Sequence, residues 1–322
     1  MVFGTTPFHS LLEQGISEFK GTESTVVFNT GYETNLAMAS VFFSGPESII
    51  ISDSLNHASI IDWTQLSRAN VVVFKHNDIN DLVRVIEEVI ENHGRKALRQ
   101  ALLFIESVYS MDGDIAKLGE IMDVSKHYGL VLGVDEAHST LAIGNTGRGI
   151  CEHLTLPHEN IDLLMGTLSK AVGAEGGSIS GKEEVIFAFK LLSRQFWFST
   201  AQTAASFAGA AESFRVIQEE NWRIQALASK SAKVRAELKK MGYDIGTSET
   251  HIIPVIIGYQ IRTAMLSEQL KKARILASAI YAPAVPNGKE RIRLSISAEH
   301  TDKQIAKLLE VFNSARRMLG VR

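Results

Sequence analysis

The feature that most constrains what this chain can fold into is an alternation. Across its first two thirds, short runs rich in Ile, Leu and Val are each followed by a stretch whose apolar positions recur at helical spacing. Residues 48–52, 71–74, 101–106, 130–135 and 162–167 read as strands, and 57–68, 78–92 and 116–128 as helices. Residues 8–20 read as a helix ahead of the first strand, with Phe8, Leu11, Leu12, Ile16 and Phe19 on one face. Near-continuously apolar strands separated by helices predict a mostly parallel sheet covered on both faces, an α/β fold.

From about residue 201 the pattern changes. Residues 201–241 read as one long helix without proline, 252–257 and 291–296 as strands, and 266–274 and 302–319 as helices. These elements no longer alternate strictly, which predicts a small α+β C-terminal domain. The expected division is a large domain at 1–217 and a small one at 218–322, and a chain of 322 residues is long enough to need two cores.

Several function classes drop out. Thirty-three basic residues against 36 acidic ones give a net charge of -3, with no basic stripe to suggest nucleic acid. The single cysteine, Cys151, allows no internal disulfide and no cysteine-rich zinc site, and it reads as a small apolar residue. No metal is expected. No apolar run reaches the roughly 18 residues of a membrane helix, and the first residues lack the basic flank of a signal peptide. A soluble cytoplasmic protein is the expectation.

Two segments carry chemistry. Val134-Asp135-Glu136-Ala137-His138 puts a carboxylate at a strand end and an imidazole three residues on. Gly166-Thr167-Leu168-Ser169-Lys170 puts a lysine in a loop after hydroxyls, with Gly173, Gly176 and Gly177 beyond it. Ligands of open parallel sheets bind beyond the carboxyl ends of the strands, where Glu106, Asp135 and Thr167 all fall. Pyridoxal 5'-phosphate (PLP) needs such groups: an amine to form an imine, a carboxylate for the pyridinium nitrogen, and hydroxyls and backbone N–H groups for the phosphate. Each part alone has a plainer reading, as a helix cap, an exposed lysine or a turn. A nucleotide loop is excluded at 176–182, because Glu183 stands where the Mg²⁺-binding hydroxyl should be.

Together the segments resemble the α-oxoamine synthases, within the fold-type-I PLP enzymes. Asn29-Thr30-Gly31-Tyr32-Glu33-Thr34-Asn35 is similar to the family's phosphate turn, and Asn56-His57-Ala58-Ser59 to the segment whose histidine stacks on the ring. Glu106 through Asp114, Phe198-Ser199-Thr200 and Val285 through Ser295 resemble further family segments, in order. The resemblance implies a large domain with a seven-stranded sheet and a small C-terminal domain. It implies that Lys170 forms the Schiff base, Asp135 pairs with the ring nitrogen, His138 bonds the 3-hydroxyl and His57 stacks on the ring. Gly31, Tyr32 and Thr167 would hold the phosphate. Ser199 and Thr200 would reach the phosphate of a neighbouring subunit, implying a homodimer. Glu106 and Ser110 would lie on the substrate side of the ring, and Arg293 would bind the amino-acid carboxylate.

The implied activity is condensation of an amino acid with an acyl-CoA, with decarboxylation, to an α-amino ketone. Alanine is the first candidate, with glycine and serine open. An aminotransferase or lyase of the same fold, or an inactive subunit, are the alternatives. Family members carry several dozen residues ahead of the segment matching Phe8 onward. The sequence is therefore expected to be a shortened form, or to start late, with its PLP contacts kept.

Overall fold

The computed structural model describes residues 4–320. The chain divides into two compact units. The first comprises Met1–Val108 and Ala116–Glu220, and the second Tyr109–Ile115 and Asn221–Arg322. The expected division after residue 217 lies close to the join at Glu220. The grouping of Tyr109–Ile115 with the C-terminal unit is not visible in the sequence.

The first unit is built on a seven-stranded sheet of β1 (Ser24–Phe28), β2 (Ile49–Asp53), β3 (Asn70–Phe74), β4 (Ala101–Glu106), β5 (Val131–Asp135), β6 (Leu163–Thr167) and β7 (Gly177–Gly181). The spatial order is β1-β7-β6-β5-β4-β2-β3. Neighbours from β3 to β6 pair in parallel, whereas β7 is antiparallel to both β6 and β1. The α/β class and the mostly parallel seven-stranded sheet are thus as expected. Helices α1 (Pro7–Lys20), α2 (Gly31–Met38), α3 (Ala58–Ser67), α4 (Ile79–His93), α5 (Leu118–Tyr128), α6 (Ile150–Leu154), α7 (Glu183–Leu192), α8 (Arg194–Trp197) and α9 (Ala204–Glu219) complete the unit.

The strands explain their own positions. Every residue of β4 is buried, as an apolar strand with helices on both faces must be. Trp63 of α3 meets Phe104 of β4 edge to face, with ring centroids 5.7 Å apart. Ile50, Leu102, Met165 and Ile179 join the same core cluster, and each such side chain contributes about 1.5–3 kcal/mol on burial. By contrast β3 is an edge strand, and Val71 and Val73 are exposed.

Several elements depart from the sequence expectation. Neither β1 nor β7 was anticipated; β7 lies in the stretch weighed and rejected as a nucleotide loop, and its Gly177, Ser178, Ser180 and Gly181 are narrow enough to sit buried between β6 and β1. The long helix expected at 201–241 is two helices, α9 and α10 (Trp222–Lys240). The apolar stripe Phe207, Ala210, Phe214 and Ile217 would continue at position 221, where Asn221 stands, and α10 restarts the stripe at Ile224 and Leu227. The helix breaks where the chain passes from one core to the other.

In the second unit β8 (Ile252–Ile256), β9 (Ser278–Ile280) and β10 (Arg291–Ser295) form an antiparallel sheet in the order β8-β10-β9, accompanied by α10, α11 (Gln260–Lys272) and α12 (Asp302–Leu319). Tyr243 donates its hydroxyl to the Phe312 carbonyl at 2.7 Å, joining the end of α10 to α12. The segment Tyr109–Ile115 is anchored here by main-chain bonds. The Gly113 carbonyl accepts from Glu249 N at 3.0 Å, Thr250 N at 3.2 Å and Thr250 Oγ1 at 2.9 Å. Gly113 is left-handed (φ 69°), and a Cβ there would lie 2.0 Å from the Ile252 carbonyl oxygen, so the close approach requires glycine.

Candidate active site

The parallel pairing sets the site. Glu106 and Asp135 are register partners at the carboxyl ends of β4 and β5, and Asp135 pairs with Met165 in β6, two residues before Thr167. Three adjacent strands therefore end on one rim, each delivering a polar side chain, and the loop after β6 carries Lys170.

Asp135 is buried at 4% exposure, yet it is well held. Its Oδ1 accepts the Ala137 N–H at 2.9 Å and its Oδ2 accepts Asn35 Nδ2 at 2.9 Å. Its carbonyl takes both the N–H and the hydroxyl of Ser107, each at 2.9 Å. The two groups that donate to the carboxylate, a backbone N–H and a side-chain amide, are neutral, and the carboxylate keeps lone pairs for a further donor. Lys170, exposed on its loop, is close enough for its charge to act on both His57 and Glu106, as does that of Asp135. Lys170, Asp135, His57 and Glu106 thus share one electrostatic neighbourhood.

His57 caps the N-terminus of α3, and its ring meets Tyr32 at 6.5 Å. Desolvation depresses its pKa below the usual imidazole value; Asp135 opposes this and Lys170 adds to it. Glu106 is fully buried. Burial first, then the Asp135 charge, push its carboxyl well above the ordinary range, and Oε1 has no hydrogen-bond partner. His138 lies half-buried in the turn three residues after Asp135.

Gly31 opens α2, whose N-cap is Thr30, accepting from Glu33 N at 3.0 Å. A Cβ on Gly31 would lie 2.6 Å from Thr167 Oγ1, so only glycine lets the helix start come this close to the β6 loop. Thr167 Oγ1 also meets Ser169 Oγ at 3.0 Å. A helix N-terminus facing two hydroxyls suits a phosphate. The Tyr32 hydroxyl donates to Asp62. Ser199 accepts from Asn29 Nδ2 at 2.7 Å, just ahead of that helix start, and Thr200 is exposed.

Ser110 and Arg293 belong to the second unit. There Arg293 Nε donates to the Ser110 carbonyl at 2.5 Å and Nη1 to Ser295 Oγ at 2.9 Å, and burial lowers its pKa. Arg291, buried beside it in sequence, pairs with Asp112 at 2.7 Å and so is structural.

Sequence reasoning passed over several residues around these groups. Asn35 and Ser107 hold Asp135, and Ser59 holds His57 through its hydroxyl at 2.8 Å. Lys20 bonds Glu136. Asn35 lies one helical turn after Gly31 and Ser59 two residues after His57, a spacing that would have pointed to them. Cys151 has its thiol pushed up to about 12, by burial and then the Glu136 charge, and so stays protonated. Among the described residues no cluster of three His, Cys, Asp or Glu side chains could hold a metal ion, and no helix is long and apolar enough to cross a membrane.

A parallel sheet whose strand ends gather a buried aspartate, an imidazole and a loop lysine defines an enzyme of the aminotransferase type. The chain belongs to the aminotransferase class I and II family, whose model matches residues 1–312. It is 40% identical over 321 residues to an 8-amino-7-oxononanoate synthase of Fervidobacterium nodosum, covering 99% of this chain and 80% of that one. Its fold is similar to that of Sphingomonas wittichii serine palmitoyltransferase (SPT), with a TM-score of 0.91 at 34% identity, covering 99% of this chain and 78% of the other. A further structure, of SPT with PLP as an internal aldimine, matches with a TM-score of 0.89 at 34% identity over 99% and 79% of the two chains. The resemblance to α-oxoamine synthases is borne out.

Proposed function

We propose that the protein is a PLP-dependent acyltransferase that joins the α-carbon of an amino acid to the acyl group of an acyl-CoA, releasing CoA and CO₂ and leaving an α-amino ketone. The observation that carries this reading is the buried Asp135 carboxylate, fixed by neutral donors and acting, together with the Lys170 amine, on the same two side chains, His57 and Glu106.

The residues present fit PLP. Asp135 has spare acceptor capacity for a ring N–H, and the Gly31–Thr167 approach leaves a helix N-terminus and hydroxyls for a phosphate. When bound, PLP supplies an electron sink that stabilises negative charge at the substrate α-carbon. Lys170 would hold the cofactor covalently and then, as a free amine, take the α-proton. Asp135 would keep the ring nitrogen protonated. His57 would lie against the ring face, orienting it and excluding water, and His138 would bond the ring 3-oxygen. Gly31, Tyr32 and Thr167 would bind the phosphate. Glu106 and Ser110 would serve the substrate side, and the Arg293 guanidinium suits an amino-acid carboxylate. Ser199 and Thr200 reaching a neighbouring subunit's phosphate would make the working form a homodimer. A cytoplasmic location fits this metabolism.

Alanine is the preferred amino acid. The product named in the relatives, 8-amino-7-oxononanoate, carries a methyl and an amine on one carbon, as the α-carbon of alanine does after losing its carboxyl. The acyl group would then be a seven-carbon chain ending in a carboxylate.

The test is a visible spectrum of the purified protein with PLP, before and after alanine, glycine and serine, followed by a CoA-release assay with acyl-CoA donors. A lysine-dependent band that shifts with alanine, together with CoA release, is expected. CoA release with serine and long-chain donors would move the reading to a palmitoyltransferase-type activity. Amino-group transfer to a keto acid without CoA release would overturn it.

A further inference from the structure

Behind the residues already assigned lies a hydrogen-bonded chain that runs through two more. Asn35 Nδ2 donates to Asp135 Oδ2 at 2.9 Å and to Ser59 Oγ at 3.0 Å. The amide can face only this way, because the flipped form would set its oxygen against a carboxylate oxygen. Ser59 in turn meets His57 Nδ1 at 2.8 Å. The Ser59 backbone N–H also points at Nδ1, at 3.2 Å, so that nitrogen is an acceptor and the Ser59 hydroxyl donates to it. The His57 proton therefore sits on Nε2. Asn35 and Ser59 are each 1% exposed.

We propose that Asn35 and Ser59 are positioning residues that lock Asp135 and His57 into one rigid unit, with Asn35 aiming the carboxylate and Ser59 fixing the imidazole as its Nε2–H tautomer. Packing alone does not account for this pair. Asn35 buries its Oδ1 without a hydrogen-bond partner, a cost that a leucine of similar size would avoid. The amide supplies something leucine cannot: two N–H groups at the angle that spans Asp135 and Ser59. The link also joins elements far apart in sequence, since Asn35 is on α2, Ser59 on α3 and Asp135 at the end of β5. The role in orienting a cofactor rests on the PLP reading above, whereas the link itself does not.

The experiment has two arms. The first is ¹⁵N NMR of His57 in the cofactor-free protein, where Asp135 and Lys170 are the charged groups acting on the ring. Wild type should show Nε2 protonated, Nδ1 unprotonated and titration below the usual imidazole value. Ser59→Ala removes a donor that favours the neutral ring, so His57 should titrate at higher pH. Ser59→Thr, which restores the hydroxyl, should bring the titration back. The second arm is PLP affinity by equilibrium dialysis. Asn35→Ala should raise the dissociation constant by about tenfold, the scale of a lost hydrogen bond to a charged group. Asn35→Asp should raise it further, because a second carboxylate would face Asp135. An unchanged His57 titration in Ser59→Ala, or an affinity within about twofold of wild type in Asn35→Ala, overturns the proposal. A variant that only melts at lower temperature, with His57 titrating as before, also overturns it, since that is a structural role. If wild type binds no PLP, the functional reading falls while the NMR arm still decides the link.

Discussion

Lys20 and Glu136 meet as a buried ion pair at 2.5 Å, with side chains 6% and 2% exposed. Lys20 ends α1, and Glu136 directly follows Asp135. The ammonium also donates to Thr140 Oγ1 at 2.8 Å and to the Arg148 carbonyl at 2.7 Å, while Glu136 Oε1 accepts Ile150 N at 2.8 Å. Every strong donor and acceptor of the pair is thus used, and the turn bearing Asp135 and His138 is tied to the first helix and to the loop before α6.

Breaking this pair from one side should be costly. Lys20→Met leaves the Glu136 carboxylate buried without its counter-ion, and a loss of about 3–5 kcal/mol is expected. Urea unfolding monitored by circular dichroism would measure it. The double variant Lys20→Met with Glu136→Leu should recover much of that loss, because no unpaired charge is left behind.

Lys170→Ala should behave in the opposite way. The side chain is exposed on its loop, so the protein should still fold cooperatively. The lysine-dependent visible band should disappear, and borohydride should no longer attach the cofactor covalently. A retained covalent label would assign the linkage to another lysine.

Glu106 predicts a pH dependence. Its folded-state pKa is raised well above the ordinary carboxyl value, first by burial and then by the Asp135 charge. Between the ordinary value and the raised one, the folded state binds a proton that the unfolded state does not. This contribution is therefore fully present below the ordinary carboxyl pKa and is lost as pH rises through the raised one. In the cofactor-free protein, Glu106→Gln should remove that dependence, so the variant should gain on wild type as pH is raised from 5 to 8. Parallel stability–pH curves for the two proteins would contradict this.

Gly31→Ala tests the closeness of the helix start to Thr167. The added Cβ would lie 2.6 Å from Oγ1, so the loop or helix must shift, at a cost of about 1–3 kcal/mol. PLP affinity should fall. Pyridoxal without its phosphate should bind wild type and variant about equally, which would locate the defect at the phosphate. Combining the change with Thr167→Gly should relieve the clash and restore part of the stability.

How much of this was legible beforehand depended on whether a signal was local. The strand and helix succession from β2 to β6 was legible because each strand is buried on both faces and so is apolar throughout. Asp135 and Lys170 could be singled out because a carboxylate at a strand end and a lysine between hydroxyls and glycines break the apolar pattern. β7 was hidden because its small polar residues mimic a loop, and the break at Asn221 because neither proline nor glycine marks it.

By itself, then, the sequence determined the α/β class, the rim on which chemistry could occur and the residue types set there. Those follow from hydrophobic periodicity and from chemical groups readable one segment at a time. Only the tertiary structure decided that Asn35, Ser59, His57 and Asp135 form one hydrogen-bonded chain, that Lys20 neutralises Glu136, and that Tyr109–Ile115 joins the C-terminal unit. Such contacts join residues up to 100 or more positions apart, as between Asn35 and Asp135. A hydrogen bond depends on distance and angle in space, and strand order and register alone bring those atoms within reach.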